Sequence, residues 1–234
     1  MKKEGRRRKA RTRSAFLFLF LSLFLLPLSS FILSAAAITA TRHAESLPQE
    51  IQAPVAAQLN AREGVRATVS GATLDFWWAS GVPLSADGAP AWTAVPEGTL
   101  VGAVKIGALF RDIRGRVVKP GVYTLRYGIQ PDNGDHLGVS PNRHFLLISP
   151  AADDRDPAPQ GHDGTVEMST GSVGGSHPGV WSIDPPAATR QPVLSVHTTA
   201  LGHEALIVEV PASRNGKPAG ALKFGIVLVG RIEA

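Results

Sequence analysis

Short runs with a period of two follow one another along most of this chain, and each is cut off by Gly, Pro or Asn before it reaches helical length. GVRATVS and ATLDFWW read as two strands joined tightly at Ser70 and Gly71. TLVGAVKIGALFRDI (99–113), VVKPGVYTLRYGI (117–129), HFLLIS, PVLSVH, EALIVEVP and ALKFGIVLVG continue in the same style. Lys119, Pro120 and Gly121 make a turn in which Pro presets φ and Gly accepts positive φ. The Asn-Gly pair inside SRNGKPAG suits a two-residue hairpin. PVAAQLNARE (54–63) is the one short helical candidate, and strands do not alternate with helices. The pattern predicts an all-β fold, an antiparallel β-sandwich or a jelly-roll-like barrel.

Within VVKPGVYTLRYGI, alternation puts Tyr123, Leu125 and Tyr127 on one face and Val122, Thr124 and Arg126 on the other. PGVYTLRYGI resembles the Pro-Gly-x-Tyr-x-Leu strand opening of many immunoglobulin-like and transthyretin-like sandwich domains. The resemblance spans this strand alone; it implies a sandwich and carries no activity with it.

Ahead of the strands stands MKKEGRRRKARTR, then AFLFLFLSLFLLPLSSFILSAAA. A basic stretch, an apolar run and a small-residue end make an export signal. Cleavage fits after Ala37, with Ala35 and Ala37 as the small pair, or after Ala40. The competing reading is an uncleaved membrane anchor, since Ala15 to Ala37 is long enough to cross a bilayer; Pro27 and the alanines favour cleavage. Residues 1–40 are therefore assigned to the signal and 41–234 to a single β-sandwich domain, secreted or periplasmic in a bacterium. The membrane is touched only through the N-terminal segment, if that segment is retained.

Net charge taken over the whole chain, +5, misleads. Eight of the 24 Lys/Arg and one of the 19 Asp/Glu lie in residues 1–13, which leaves 16 basic and 18 acidic residues, net −2. Cations in that remainder are scattered singly except in RDIRGRVVK (111–119), which reads as a solvated hairpin face. A nucleic-acid partner is not expected. No cysteine is present, so an exported fold must be held by its core rather than by disulfides.

Two stretches concentrate polar chemistry. QPDNGDHLGVSPNRHF (130–145) offers Asp132, Asp135 and His136 as ligands for calcium or zinc. Its spacing matches no strong metal signature, and Pro-Asp-Asn-Gly is also ordinary turn chemistry. The Gly/Pro/Asp-rich stretch 149–180 reads as one long loop. It carries Asp153, Asp154 and Asp156, with calcium between Asp154 and Asp156 as a lesser candidate, and then His162 and Asp163.

Other chemistries find little support. There is no cysteine nucleophile, no Gly-x-Ser-x-Gly elbow and no glycine-rich nucleotide motif. Aromatic residues suggest a binding surface instead. In ATLDFWW, Phe76 and Trp78 fall on one side and Asp75 and Trp77 on the other, so one indole must be covered by a further layer or be exposed. Trp77, Trp78 and Trp92 are thus candidate ligand-binding residues. The bland alternative has the loop from Trp78 to Trp92 packing back over the second indole.

These readings converge on an exported, non-catalytic domain that binds or scaffolds an extracytoplasmic ligand or protein. The alternatives are a metal-assisted hydrolase using the 130–145 loop and a structural subunit that pairs through a sheet edge.

Overall fold

The period-two runs form strands. In chain order these are β1 (Thr39–His43), β2 (Gly64–Val69), β3 (Ala72–Trp78), β4 (Val82–Pro83), β5 (Leu100–Ile106), β6 (Phe110–Arg111) and β7 (Val117–Val118). They continue with β8 (Gly121–Ile129), β9 (His144–Pro150), β10 (Gly179–Asp184), β11 (Val196–Thr198), β12 (Glu204–Arg214) and β13 (Lys217–Val229). Two helices, α1 (Ala53–Ala56) and α2 (Gly161–Thr170), complete the set. The structure, a computed structural model, describes residues 38–113, 115–130, 142–173, 177–185 and 190–230. Residues Ala36–Ala234 form one compact unit.

The fold is mostly β and its large sheet is mixed. Strands run in the order β1-β2-β3-β5-β8-β9-β10-β13-β12-β11, and β4 attaches to β12. Neighbours on the main path are antiparallel, while β4 runs parallel to β12 through Ala212↔Val82 and Ser213↔Pro83. β6 and β7 make a separate small hairpin. Both tight turns expected from sequence close as hairpins: Ser70 and Gly71 have φ of 50° and 81°, Asn215 and Gly216 of 52° and 72°. Gly121, by contrast, is not among the residues with positive φ; it opens β8 in extended backbone, with its pairing to Ile106 already made.

One strand joins the two halves. The first part of β10, Gly179 to Ser182, pairs with β9, and its end, Ile183 and Asp184, pairs with β13. A single apolar core collects the inward residues of both halves: Leu74, Phe76, Trp78, Leu125, Tyr127 and Leu146 from one, Leu206, Val208, Leu222, Phe224 and Ile226 from the other. Trp78 meets Phe224 edge-on at 5.7 Å, and Phe76 lies 5.6 Å from Trp181.

The opposite face of β3 and β5 has its own cover. Ile51, Val55 and Leu59, spaced by four on and around α1, pack with Leu100, Ala103 and Ala151. Pro54 at the first turn of α1 suits a helix start. Trp77 lies on this face, donating its Nε1–H to the carbonyl of Glu45 at 3.0 Å and meeting the His43 ring edge-on at 5.1 Å. The indole is therefore covered by the chain preceding β2, and the loop after Trp78 packs elsewhere.

The stretch 149–180 is not a plain loop, for it contains α2. Helix α2 escapes a hydropathy reading because its buried residues are Thr165 and Ser169, one turn apart and both hydroxyl-bearing. Ser169 Oγ–H shares its one hydrogen between the carbonyls of Ile148, at 2.7 Å, and Gly179, at 3.1 Å, which ties the helix to β9 and β10. Ahead of α2, the chain is held by Arg126 on the outer face of β8. All five of its N–H groups are used: Nε and one Nη2 hydrogen reach the two oxygens of Asp154, Nη1 donates to Gly98 and Ala158, and Nη2 also donates to Asp156. Thr124 Oγ1 donates to Asp154 Oδ2 at 2.6 Å. Alternation placed Thr124 and Arg126 outward, and this loop is what covers them.

Candidate ligand cleft at the base of the 130–143 loop

The site is built where β8 ends and β9 begins. Backbone pairing sets Tyr127 opposite Leu146 and Ile129 opposite His144, so Tyr127 and His144 are diagonal neighbours on the inner face. Aromatic side chains reach across such a diagonal. The Tyr127 hydroxyl and His144 Nδ1 are 2.7 Å apart, and the two rings stack at 5.8 Å. Burial, reinforced by Glu97, pushes the Tyr127 phenol up to about 12, and burial together with Arg143 lowers His144. At neutral pH the phenol is protonated and the imidazole neutral. The O–H is then the donor, Nδ1 the acceptor, and the ring proton sits on Nε2.

Neighbouring groups fix this end of the sheet. Glu97 Oε1 accepts from Ile129 N–H at 3.1 Å and contacts His162 Nδ1 at 2.9 Å. Gln130 N–H donates to the Arg143 carbonyl, and the Arg143 guanidinium returns to the Gln130 carbonyl at 2.7 Å, so the two ends of the loop are clamped. Asn142 donates to Asp184 Oδ1 at 3.1 Å.

Beside this cluster opens a shallow cleft of about 400 Å³. Pro90, Trp92, Thr93, His144, Pro185 and Lys223 are among its lining residues. The Trp92 ring is wedged between Tyr127 at 5.4 Å and Phe224 at 4.9 Å, which holds it rigid, and its buried Nε1 has no hydrogen-bond partner among the described residues. A second cleft, of about 290 Å³, lies between β2 and β3 on one side and β12 and β13 on the other, lined by Arg42, Glu63, Trp78 and Glu209 among others.

The residues singled out from sequence are distributed as follows. Asp132, Asp135 and His136 lie outside the described residues. Asp154 is wholly buried and both its oxygens are engaged by Arg126, so its carboxylate is structural and not free for calcium. Asp153 and Asp156 are exposed; the Ala158 N–H, donated to the carboxylate, holds Asp156 below the usual range. Among the described residues no group of three or more His, Asp and Glu is placed to hold a metal ion. Trp77, Trp78 and Trp92 are 1%, 6% and 5% exposed. They are core residues; Trp77 is sealed on the outer face, and Trp78 and Trp92 each contribute to a cleft wall. Tyr127, Glu97 and Lys223 were not legible as site residues. The one available signal was that Tyr127 and His144 flank the polar loop at strand positions of matching parity.

No known protein family, curated protein or solved structure matches this chain.

Proposed function

We propose that this protein is an exported binding domain, a two-layered β-sandwich carried outside the cytoplasm by its N-terminal segment, that takes a small anionic ligand with a flat apolar body. The sandwich reading is supported by the shared core of the two halves and the ring contacts across it. Export is supported by the basic and then apolar sequence of residues 1–37.

The observation that carries the ligand assignment is the cleft beside the Tyr127–His144 pair. Trp92 supplies an immobile aromatic wall, Lys223 a cation, and neutral His144 an Nε2–H donor. A concave apolar surface with a few convergent polar groups is the usual form of a small-molecule site. The Tyr127 hydroxyl orients the imidazole through their hydrogen bond, while burial and Arg143 disfavour the imidazolium; the hydroxyl, pushed up to about 12, is spent as that donor, which favours binding over catalysis.

Calorimetric titration of the protein with phenyl phosphate tests this. Saturable binding that weakens at least tenfold in Lys223→Gln, with the variant equally stable, supports the cleft. Absence of saturable heat, or an affinity unchanged by the substitution, refutes it.

A further inference from the structure

The hairpin β6–β7 carries RDIRGRVVK, the one local concentration of cations outside the first thirteen residues, and the cleft makes no use of it. Its inner face is committed to the core: Phe110 and Val118 are register partners and buried, and Phe110 stacks on Trp181 at 5.1 Å. On its outer face Arg111 pairs with Val117. Leu109 and Lys119 flank that pair, and all four side chains are exposed. Leu109 is 66% and Val117 36% exposed, so two apolar side chains stand in solvent beside two cations on one face. Asp112 is the acidic residue of the hairpin, and its carboxylate is taken up by the Arg116 N–H at 2.8 Å.

Strand register locates this face. Thr39, the first residue of β1, pairs with Thr68, and Thr68 pairs with Thr73. Thr73 in turn accepts the Gly107 N–H at 2.9 Å. Leu109 follows two residues later, so the hairpin leaves the same end of the sheet at which the chain enters β1. From β1 to β5 there are three strand spacings, roughly 14 Å. The apolar run of the N-terminal segment ends at Ala37, and only Ile38 separates it from the first paired residue of β1.

We infer that the outer face of the β6–β7 hairpin is a membrane-docking surface, which lays Leu109 and Val117 into the interface of an anionic bilayer while Arg111 and Lys119 meet lipid phosphates. Alternating apolar and basic side chains on one face suit that boundary, because long cations keep their charge in the headgroups while their stems lie along apolar surface. Each cation near an anionic surface adds a modest attraction that salt screens. Only Ile38 lies between the apolar run and the first paired residue of β1, so weak docking suffices for as long as that run stays attached to the chain. The inference rests on the export reading for where the surface acts, and on the hairpin alone for what it binds.

Because the chain has no cysteine, single-cysteine probes report unambiguously. Leu109→Cys, Val117→Cys and, as a control in the loop after β4, Asp87→Cys are labelled with an environment-sensitive fluorophore in the full chain, which is mixed with phosphatidylglycerol vesicles. The expected result is a blue shift and quenching by lipid-borne nitroxide at 109 and 117 but not at 87, lost on neutral phosphatidylcholine vesicles. Arg111→Gln with Lys119→Gln should weaken the 109 signal more than tenfold. Water-like spectra at 109 and 117, or equal signals at all three positions, overturn the inference. Failure of the export reading alone looks different: the protein then stays in the cytoplasmic fraction of an exporting host, while the vesicle contrast between positions 109 and 87 persists.

Discussion

Arg126 and Asp154 form a bidentate ion pair with neither side chain exposed, Nε to Oδ2 at 2.8 Å and Nη2 to Oδ1 at 2.7 Å. The pair joins the middle of β8 to the chain that leads into α2. Removing one partner of a buried pair strands the other charge, at a cost of about 3–5 kcal/mol. Asp154→Asn is expected to lower stability by that amount in urea unfolding. Replacing both partners with apolar residues, Arg126→Met and Asp154→Leu, should not restore it in full, because the carbonyls of Gly98, Ala158 and Asp156 would lose their bonds to Arg126 and keep only those that Gln160 makes with them. Full recovery in the double variant would refute this account of the loop.

The two hairpin turns differ in one respect that can be measured. Asn215 and Gly216 are residues that tolerate positive φ, whereas Ser70 holds φ of 50° without being Asn or Gly. Left-handed backbone disfavours a Ser there, and Asn-Gly is the preferred pair for such turns. Ser70→Asn is expected to raise the thermal midpoint, by roughly 0.5 kcal/mol of stability. Gly216→Ala should lower stability by about 1–2 kcal/mol. Equal midpoints for both variants and the parent would contradict the assigned turn geometry.

How much of this was legible follows from where the signal lies. Strand alternation and turn chemistry are local, so β2, β3, β8, β9, β12 and β13 could be placed from sequence, and so could the inward set Tyr123, Leu125 and Tyr127. Helix α2 could not, since its buried stripe is Thr165 and Ser169 rather than Leu or Val. The cover over Trp77 was sought in the loop after Trp78, although Ile51, Val55 and Leu59 already carry a helical spacing on the other side. The partnership of Asp154 with Arg126 needs a separation of 28 residues to be closed, and no local pattern carries that information. The same holds for Tyr127 with His144, which depends on register across the 130–143 loop.

Protonation at the cleft sets a pH window for stability. His144 is lowered from 6.5, so its protonation favours the unfolded chain, and its contribution is lost as pH falls below 6.5 toward the folded value. Tyr127 is raised from 10.0 to about 12, so its contribution is present below pH 10 and is lost as pH rises from there toward 12. Unfolding midpoints followed with pH should therefore form a plateau between these limits. Tyr127→Phe should flatten the alkaline limb in part, since burial also raises Tyr123. An alkaline limb unchanged in Tyr127→Phe would remove Tyr127 as its source.

The start of β1 discriminates between the two cleavage points. Ala40 pairs with Ala67 and packs against the core, and Thr39 pairs with Thr68. A cut after Ala40 would delete both and shorten the strand, whereas a cut after Ala37 leaves it whole. N-terminal sequencing of the exported protein is expected to read Ile38-Thr39-Ala40. Thr41 as the first residue would show that β1 is dispensable.

The central claim is that the cleft lined by Trp92, His144 and Lys223 is where a ligand binds. Amide and indole chemical shifts recorded while phenyl phosphate is titrated into the labelled protein test it most directly. The account predicts saturating shifts at Trp92, Thr93, His144 and Lys223, with Arg42, Glu63 and Glu209 at the second cleft unmoved. Shifts confined to the second cleft, or none that saturate, would contradict it.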